Sequence, residues 1–237
     1  MIQKFESKIR DIKNISPTVK VLRISVPDNF KFLPGQYISL IFTIEDKRFS
    51  RSYSIASNGI DDNSIELCIK LIENGKASNL IKKLKVGNTI TALGPAGGFV
   101  LNNFNEKDNL VFLSTGTGIV PFISMINSIL NNNPKQSIYL IQGTRYKKEM
   151  IYKNELEELS KRYPNFKFNY ILSRPENMEK VKYKGHIQDF IKTIIPKKTL
   201  SNGHFYVCGL NIMITDVKNK LIELGVDEKN IFFEKYD

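Results

Sequence analysis

Cysteine is nearly absent: Cys68 and Cys208 are the only two in 237 residues, one in each half of the chain. Two isolated thiols lack the paired spacing that holds zinc or an iron–sulfur cluster, so the expectation is a chain with no metal site of its own. Long apolar runs are missing too. The start, "MIQKFESKIR", has no signal-peptide core, and no segment approaches the length needed to cross a bilayer. A cytoplasmic protein without stable membrane insertion is expected. There is no internal repeat and no low-complexity tail. Acidic residues are in deficit, 24 against 35 Lys and Arg, which sets the net charge at +11 and the pI near 9.5. That balance suits nucleic acid, an anionic membrane or a small acidic protein. The lysines are scattered, however, and a chain rich in Asn and Ile also reflects a biased genome.

The hydrophobic content of 41%, with 15 Phe and 10 Tyr, is ample for a packed core, and the length fits one large domain or two small ones. The pattern changes character near residue 105. Before it, short apolar runs are broken by turn signals such as "VPDNF", "LPGQ" and "SNGIDDNS". "VKVLRIS", "QYISLIFTI", "RSYSIAS" and "SIELCIKLI" read as strands, which points to an antiparallel barrel or sandwich. After the polar joint "NNFNEKDN", strand and helix alternate. "LVFLST", "SIYLIQGT", "FKFNYILS", "HFYVCG" and "NIFFEKY" are strands; "IVPFISMINSILNN", "KEMIYKNELEELSKRY", "HIQDFIKTII" and "NIMITDVKNKLIELG" are helices. Such alternation builds a parallel sheet covered on both faces.

Three stretches carry chemistry. In "RSYSIAS" side chains alternate, so Arg51 and Tyr53 share one face while Ser52 and Ser54 share the other. A cation beside an aromatic ring suits a ligand with both phosphate and a flat ring; a snorkelling arginine on a half-exposed strand is the plain alternative. In "LVFLSTGTGIVPF" an apolar strand runs into Thr115, Gly116, Thr117 and Gly118, and a helix starts at once with Pro121 in its first turn. Glycines let a phosphate approach the backbone, and the free amides of a helix start attract its charge. A simple strand-to-helix turn reads the same way, since the third glycine of the usual dinucleotide pattern is missing. In "HFYVCGLNIMI" the strand end at Cys208 and Gly209 lies where doubly wound sheets hold ligands, though a buried cysteine also packs as a small hydrophobe.

Together these motifs resemble the ferredoxin–NADP reductase family. "RSYSIAS" is similar to its R-x-Y-[ST]-x-x-S flavin signature, "GPAGGF" to G-P-x-G-x-F, "STGTGIVP" to the pyridine-nucleotide loop and "CGLNIM" to C-G-x-x-x-M, in the family's order. The resemblance implies an N-terminal antiparallel six-stranded β-barrel that binds FAD, residues 1–102. A C-terminal doubly wound parallel-sheet domain, residues 103–237, would bind NAD(P), with the flavin in the cleft between them. It assigns Arg51 to the flavin phosphate, Tyr53 to the isoalloxazine face and Ser54, after Ser52, to the neighbourhood of N5. Lys76, Ala77 and Ser78 resemble a second phosphate clamp at a helix start, with Ser78 also expected to cap that helix. Thr115 to Gly118 and Pro121 would meet the nucleotide, and Cys208 with Gly209 its nicotinamide end. The tail "FFEKYD" resembles the family's closing E-x-Y, making Glu234 a candidate for charge stabilisation or proton relay and Tyr236 a ring stacked on the flavin. Asp237 stands where some bacterial members carry an aromatic residue.

Arg145, Ser173 and Arg174 match positions that hold the 2′-phosphate in NADPH-using relatives, and no Asp or Glu follows Gly143 directly. NADP is therefore expected as the second cofactor, with NAD as the alternative. The family passes single electrons to ferredoxins, flavodoxins, oxygenase components and haem proteins; the +11 charge fits an acidic ferredoxin or flavodoxin carrier and a monomer. An oxygenase or cytochrome reductase component is the nearest alternative. A basic nucleic-acid-binding barrel is the distant one; it requires exposed aromatics among the basic residues, whereas the aromatics here alternate as core.

Overall fold

The computed structural model describes residues 2–101, 108–132, 135–176 and 180–236. The expected joint lies outside the described residues apart from Asp108 and Asn109, as do the boundary between 102 and 103 and the terminal Asp237. The chain forms two compact units, Met1–Leu101 with Val120–Ile129, and Asn102–Ile119 with Leu130–Asp237.

The first unit contains strands β1 (Gln3–Ser16), β2 (Val19–Ser25), β3 (Tyr37–Ile44), β4 (Lys47–Ser54), β5 (Ser64–Lys70) and β6 (Thr89–Ala96), with helix α1 (Lys76–Lys83) after β5. They form one six-stranded antiparallel sheet in the order β4-β3-β6-β1-β2-β5. Alternating apolar residues turn Ile38, Leu40 and Phe42 of β3 and Ile65, Leu67 and Ile69 of β5 into a shared core with Leu22, Ile24 and Ile81. The sheet curls until its edges meet. Ile55, just past β4, bridges Leu67 of β5, and the Ala56 amide donates to the Glu66 carbonyl at 2.8 Å. β1 pairs with β6 along its first half and with β2 along its second, with register shifts at Ile9/Asp11 and Asn14/Ser16 that bend it around the corner.

Helix α2 (Val120–Asn131) follows the second unit's first strand, yet residues 120–129 belong to the first unit. Phe122 places its ring 5.9 Å from that of Phe99. The Met125 methyl lies beside Gly35, whose φ of +99° is open to glycine and whose missing Cβ leaves room for the Phe99 carbonyl. Gln36 locks this loop, accepting from the Leu33 amide at 2.8 Å and donating to the Gly97 carbonyl at 3.3 Å.

The second unit holds β7 (Asn109–Thr115), β8 (Ile138–Thr144), β9 (Phe166–Leu172), β10 (Gly203–Gly209) and β11 (Ile231–Lys235), all parallel, in the order β11-β10-β7-β8-β9. Helices α3 (Lys153–Arg162), α4 (Ile187–Ile194), α5 (Lys197–Asn202) and α6 (Asn211–Glu223) connect them. The chain starts in mid-sheet, winds outward through β8 and β9, then reverses to β10 and β11, so the topological switch point falls between β7 and β10. One sheet face is apolar, with Val111, Leu113, Ile141, Phe205 and Val207 packed with Ile187, Ile191, Val217 and Leu221. The other carries an aromatic row: Tyr206 stacks on Phe112 at 5.4 Å and on Phe232 at 5.0 Å.

Several elements differ from expectation: β1 is not anticipated by the apolar pattern, and β4 runs over Lys47–Ser54 rather than 51–57. The helix read over 148–163 is shortened to α3, because Lys147–Glu149 forms a 3-10 turn and Tyr152 adopts a left-handed φ of 59°. The helix after the glycine loop carries Pro121 in its first turn, as expected, with α2 starting at Val120. Gly116–Ile119 is already a 3-10 turn, and Pro121, second in α2, has no amide hydrogen for the Thr117 carbonyl.

Replacing Gly35 with Ala forces a side chain into the left-handed region and onto the Phe99 carbonyl. A loss of at least ~2 kcal/mol in unfolding free energy is expected from urea titration.

Candidate functional site

In the first unit, β4 is an edge strand, which leaves Arg51 exposed while its neighbours are anchored across the ladder. Leu40 faces Arg51 and Ile38 faces Tyr53, whereas Ser39 faces Ser52, their hydroxyls 3.0 Å apart. The two faces therefore separate as the alternation requires. Arg51 donates to its neighbour's carbonyl, Ser50 O, at 2.8 Å and lies 5.6 Å over the Phe49 ring. No carboxylate pairs with it among the described residues, so its planar fork is available to an anion. Burial pushes the Tyr53 phenol up to about 12, with Arg51 opposing, so the phenol stays neutral and keeps its proton to donate. Ser54 is buried at the strand end.

Just beyond β5, α1 opens at Lys76 behind Gly75, with no side-chain cap. Ser78 is not the expected cap: its hydroxyl accepts from the Ile72 amide at 2.8 Å and fixes the turn that leads into the helix. The first-turn amides of Lys76, Ala77 and Ser78 have no acceptor inside the helix, which is what a phosphate clamp requires.

In the second unit the switch point brings two motifs into backbone contact. A Cβ on Gly118 would fall on the Cys208 carbonyl, and one on Gly209 would fall on the Thr115 hydroxyl. Glycine at both places is what lets the β7 turn and the β10 end close on each other. Gly116, by contrast, has a φ of +55° and nothing within 4 Å of an added Cβ, so the loop offers an open cradle. Tyr236 is tied to the same spot, its amide donating to the Gly209 carbonyl at 2.9 Å. Parallel register places Glu234 beside Cys208 and Cys208 beside Ser114. Burial, reinforced by Glu234, holds the Cys208 thiol well above its ordinary range, so it is neutral. Burial alone raises the Glu234 carboxyl to about 7, and one of its oxygens has no partner among the described residues.

Arg145, Ser173 and Arg174 are also brought together. Past the ends of β8 and β9 the ladder continues, with Ser173 N donating to Thr144 O and Arg174 N to Arg145 O, both at 2.9 Å. Both arginines are exposed and neither pairs with a carboxylate among the described residues. Glu149, absent from the sequence reading, folds back so that its carboxylate accepts from the Arg145 amide at 3.3 Å. Lys148 is engaged with Glu176 at 2.9 Å. Ser114 and Gln142 also escaped that reading; they are fully buried beside Cys208's row, and only strand register reveals them.

These residues fit a flavin and a pyridine nucleotide: a guanidinium free of carboxylates beside a half-buried phenol in one unit, and a glycine cradle beside a neutral buried thiol and a raised, half-buried carboxyl in the other. The oxidoreductase FAD-binding domain matches residues 6–101 and the oxidoreductase NAD-binding domain matches residues 112–219. Ferredoxin–NADP reductase B of Sorangium cellulosum is 28% identical over 242 residues, covering 99% of this chain and 98% of its own. NADH–cytochrome b5 reductase 1 of Dictyostelium discoideum is 30% identical, covering 97% of this chain and 80% of its own. The crystal structure of a ferredoxin NADP+ reductase from Neisseria gonorrhoeae with bound FAD and NADP superposes with a TM-score of 0.84 at 25% identity, covering 98% of both chains. The chain also spans about two thirds of the length of matching phenol hydroxylase reductase components. Fold, site and matches define an oxidoreductase built from a flavin domain and a nicotinamide domain. The chain belongs to the ferredoxin–NADP reductase family.

Because the Glu234 carboxyl is raised when folded, its contribution to stability is present at low pH and is lost as pH rises from about 4.5 through about 7. Unfolding titrations across that window are expected to show this loss, and Glu234→Gln to flatten it.

Proposed function

We propose that the chain is an NADPH-dependent flavoprotein reductase that hands electrons singly to a small acidic carrier, a ferredoxin or flavodoxin. The observation that carries this reading is the switch point, where the open Gly116 cradle adjoins the buried, neutral Cys208 and the half-buried Glu234, whose carboxyl is raised to about 7. Bound FAD supplies the redox chemistry, accepting two electrons from reduced nicotinamide and releasing them one at a time. The chain's own residues bind, orient and exclude water. Arg51 and the amides of Lys76, Ala77 and Ser78 hold the flavin's phosphates, Tyr53 covers its ring, and Ser52 and Ser54 line the polar side of the strand. Thr115 to Gly118, with Pro121 stiffening the helix behind them, receive the nucleotide. Cys208 and Gly209 form the floor at its reactive end, and Glu234 holds a proton close to neutrality there. Tyr236, fixed through its amide, closes the site.

NADPH is favoured by Arg145 and Arg174 standing side by side with Ser173, a set of donors matched to a 2′-phosphate. Of the carboxylates near them in sequence, Glu149 is turned to the Arg145 amide and Glu176 pairs with Lys148. A reductase component for a cytochrome or oxygenase is the second reading, supported by the similarity to NADH–cytochrome b5 reductase 1. The cofactor domains are taken as residues 1–102 and 103–237, with the first ten residues of α2 packed as part of the barrel unit. No described helix is long and apolar enough to cross a membrane. A cytoplasmic monomer completes the proposal.

The purified protein is expected to be yellow and to bleach with NADPH under anaerobic conditions; a colourless protein that takes up no flavin refutes the reading. Arg145→Ala is expected to lower kcat/KM for NADPH by about tenfold to a hundredfold and for NADH by less than about threefold, the loss of one charged hydrogen-bonding partner. With a net charge of +11, reduction of an acidic carrier is expected to slow by about tenfold or more from low to physiological salt. Salt-independent reduction favours the second reading.

A further inference from the structure

At the C-terminal edge of the parallel sheet, the aromatic row gives way to a polar one. Reading across the strands by register, Glu234 of β11 faces Cys208 of β10, Cys208 faces Ser114 of β7, Ser114 faces Gln142 of β8, and Gln142 faces Tyr170 of β9. In-register residues of a parallel sheet point to the same face, so these side chains form one transverse line. The row beneath it holds Phe232, Tyr206, Phe112, Leu140 and Phe168. An apolar continuation is what packing alone calls for.

Instead, Ser114 and Gln142 are both 0% exposed, and the Ser114 hydroxyl and both ends of the Gln142 amide have no partner among the described residues. One oxygen of Glu234, two strands from Ser114 in the same line, is likewise buried and unpartnered. Leaving such groups unsatisfied is costly, so four atoms in one row are not an accident of packing. Buried polar groups of this kind are the usual ligands of internal water, which makes two to four hydrogen bonds at such sites. Hydroxyl, amide oxygen, amide nitrogen and carboxyl supply both donors and acceptors, as a bridging water needs.

We propose that Ser114 and Gln142 hold ordered water in a line that continues past Cys208 to Glu234, and that they act through it as positioning residues for that thiol and carboxyl. This rests on the reading of Glu234 as the proton-holding group of the site. Water dipoles favour the ionised carboxylate, so removing their anchors makes Glu234 harder to ionise. Among the described residues burial is the only cause of its raised carboxyl, and no charge contributes. Cys208 from β10 is neutral; from α6, Lys218 lies over the Phe233 ring, on the opposite side of β11, and pairs with Glu228.

The test uses the full-length protein loaded with FAD. The rate of flavin reduction by NADPH is measured across pH for wild type, Ser114→Ala, Gln142→Leu and Glu234→Gln. Ser114→Ala and Gln142→Leu are each expected to move the Glu234-dependent midpoint upward by about half a unit, roughly a threefold change in ionisation, with flavin content and the Kd for NADPH unchanged. Adding Ser114→Ala to Glu234→Gln is expected to change nothing further. A merely structural role lowers Tm and leaves the midpoint in place, and that result overturns the proposal. The second readout is a high-resolution crystal structure of the wild-type chain, which needs neither flavin nor turnover. Ordered water on Ser114 Oγ and the Gln142 amide supports the line; two dry, unsatisfied side chains there overturn it. A colourless protein with that water present refutes the flavoenzyme reading alone.

Discussion

The arrangement at the switch point depends on one steric constraint, the close contact of two loops with no side chain on the glycine that each contributes. Gly118 sits against the Cys208 carbonyl and Gly209 against the Thr115 hydroxyl. Each glycine is required by the other segment's position, so neither loop is free to drift without the other. The same contact sets Cys208 at a fixed height beside Ser114 and, through the parallel ladder, Glu234 beside Cys208. The neutral thiol, the raised carboxyl and the amide hook of Tyr236 all follow from that packing.

A division of labour runs through the molecule. The elements proposed to bind anions are exposed: Arg51 on an edge strand, Lys76 at the uncapped start of α1, Arg145 and Arg174 past the strand ends. Groups whose protonation matters are half or fully buried, where the low dielectric keeps Tyr53 and Cys208 neutral and raises the Glu234 carboxyl to about 7. A permanently charged guanidinium tolerates water, whereas a carboxyl that must keep its proton does not. Position in the fold thus sorts these residues by chemistry.

Much of this was legible in the sequence because local pattern and burial agree. Strands β2, β5 and β7 to β11 are half or fully buried, and their apolar periods mark them within a residue or two. β1 was missed for the opposite reason: of its fourteen residues only Ser7 and Ile9 are buried, so charge masks the alternation. The α3 start was misplaced because the left-handed turn at Tyr152 has no glycine or asparagine to announce it. Motif residues such as Arg51 and Gly118 were found through their neighbours in sequence. Ser114 and Gln142 have meaning only across strands, and register between β7, β8 and β10 cannot be read from one chain segment at a time.

Helix α2 also shapes how this chain tolerates rearrangement. Its first ten residues complete the barrel's packing around Phe99 and Gly35, although in chain order they follow β7. A cut after Leu101 therefore strips the barrel of a wall it does not itself encode. Recombination that exchanges one nicotinamide module for another must bring along a helix whose inner surface suits the recipient's flavin module.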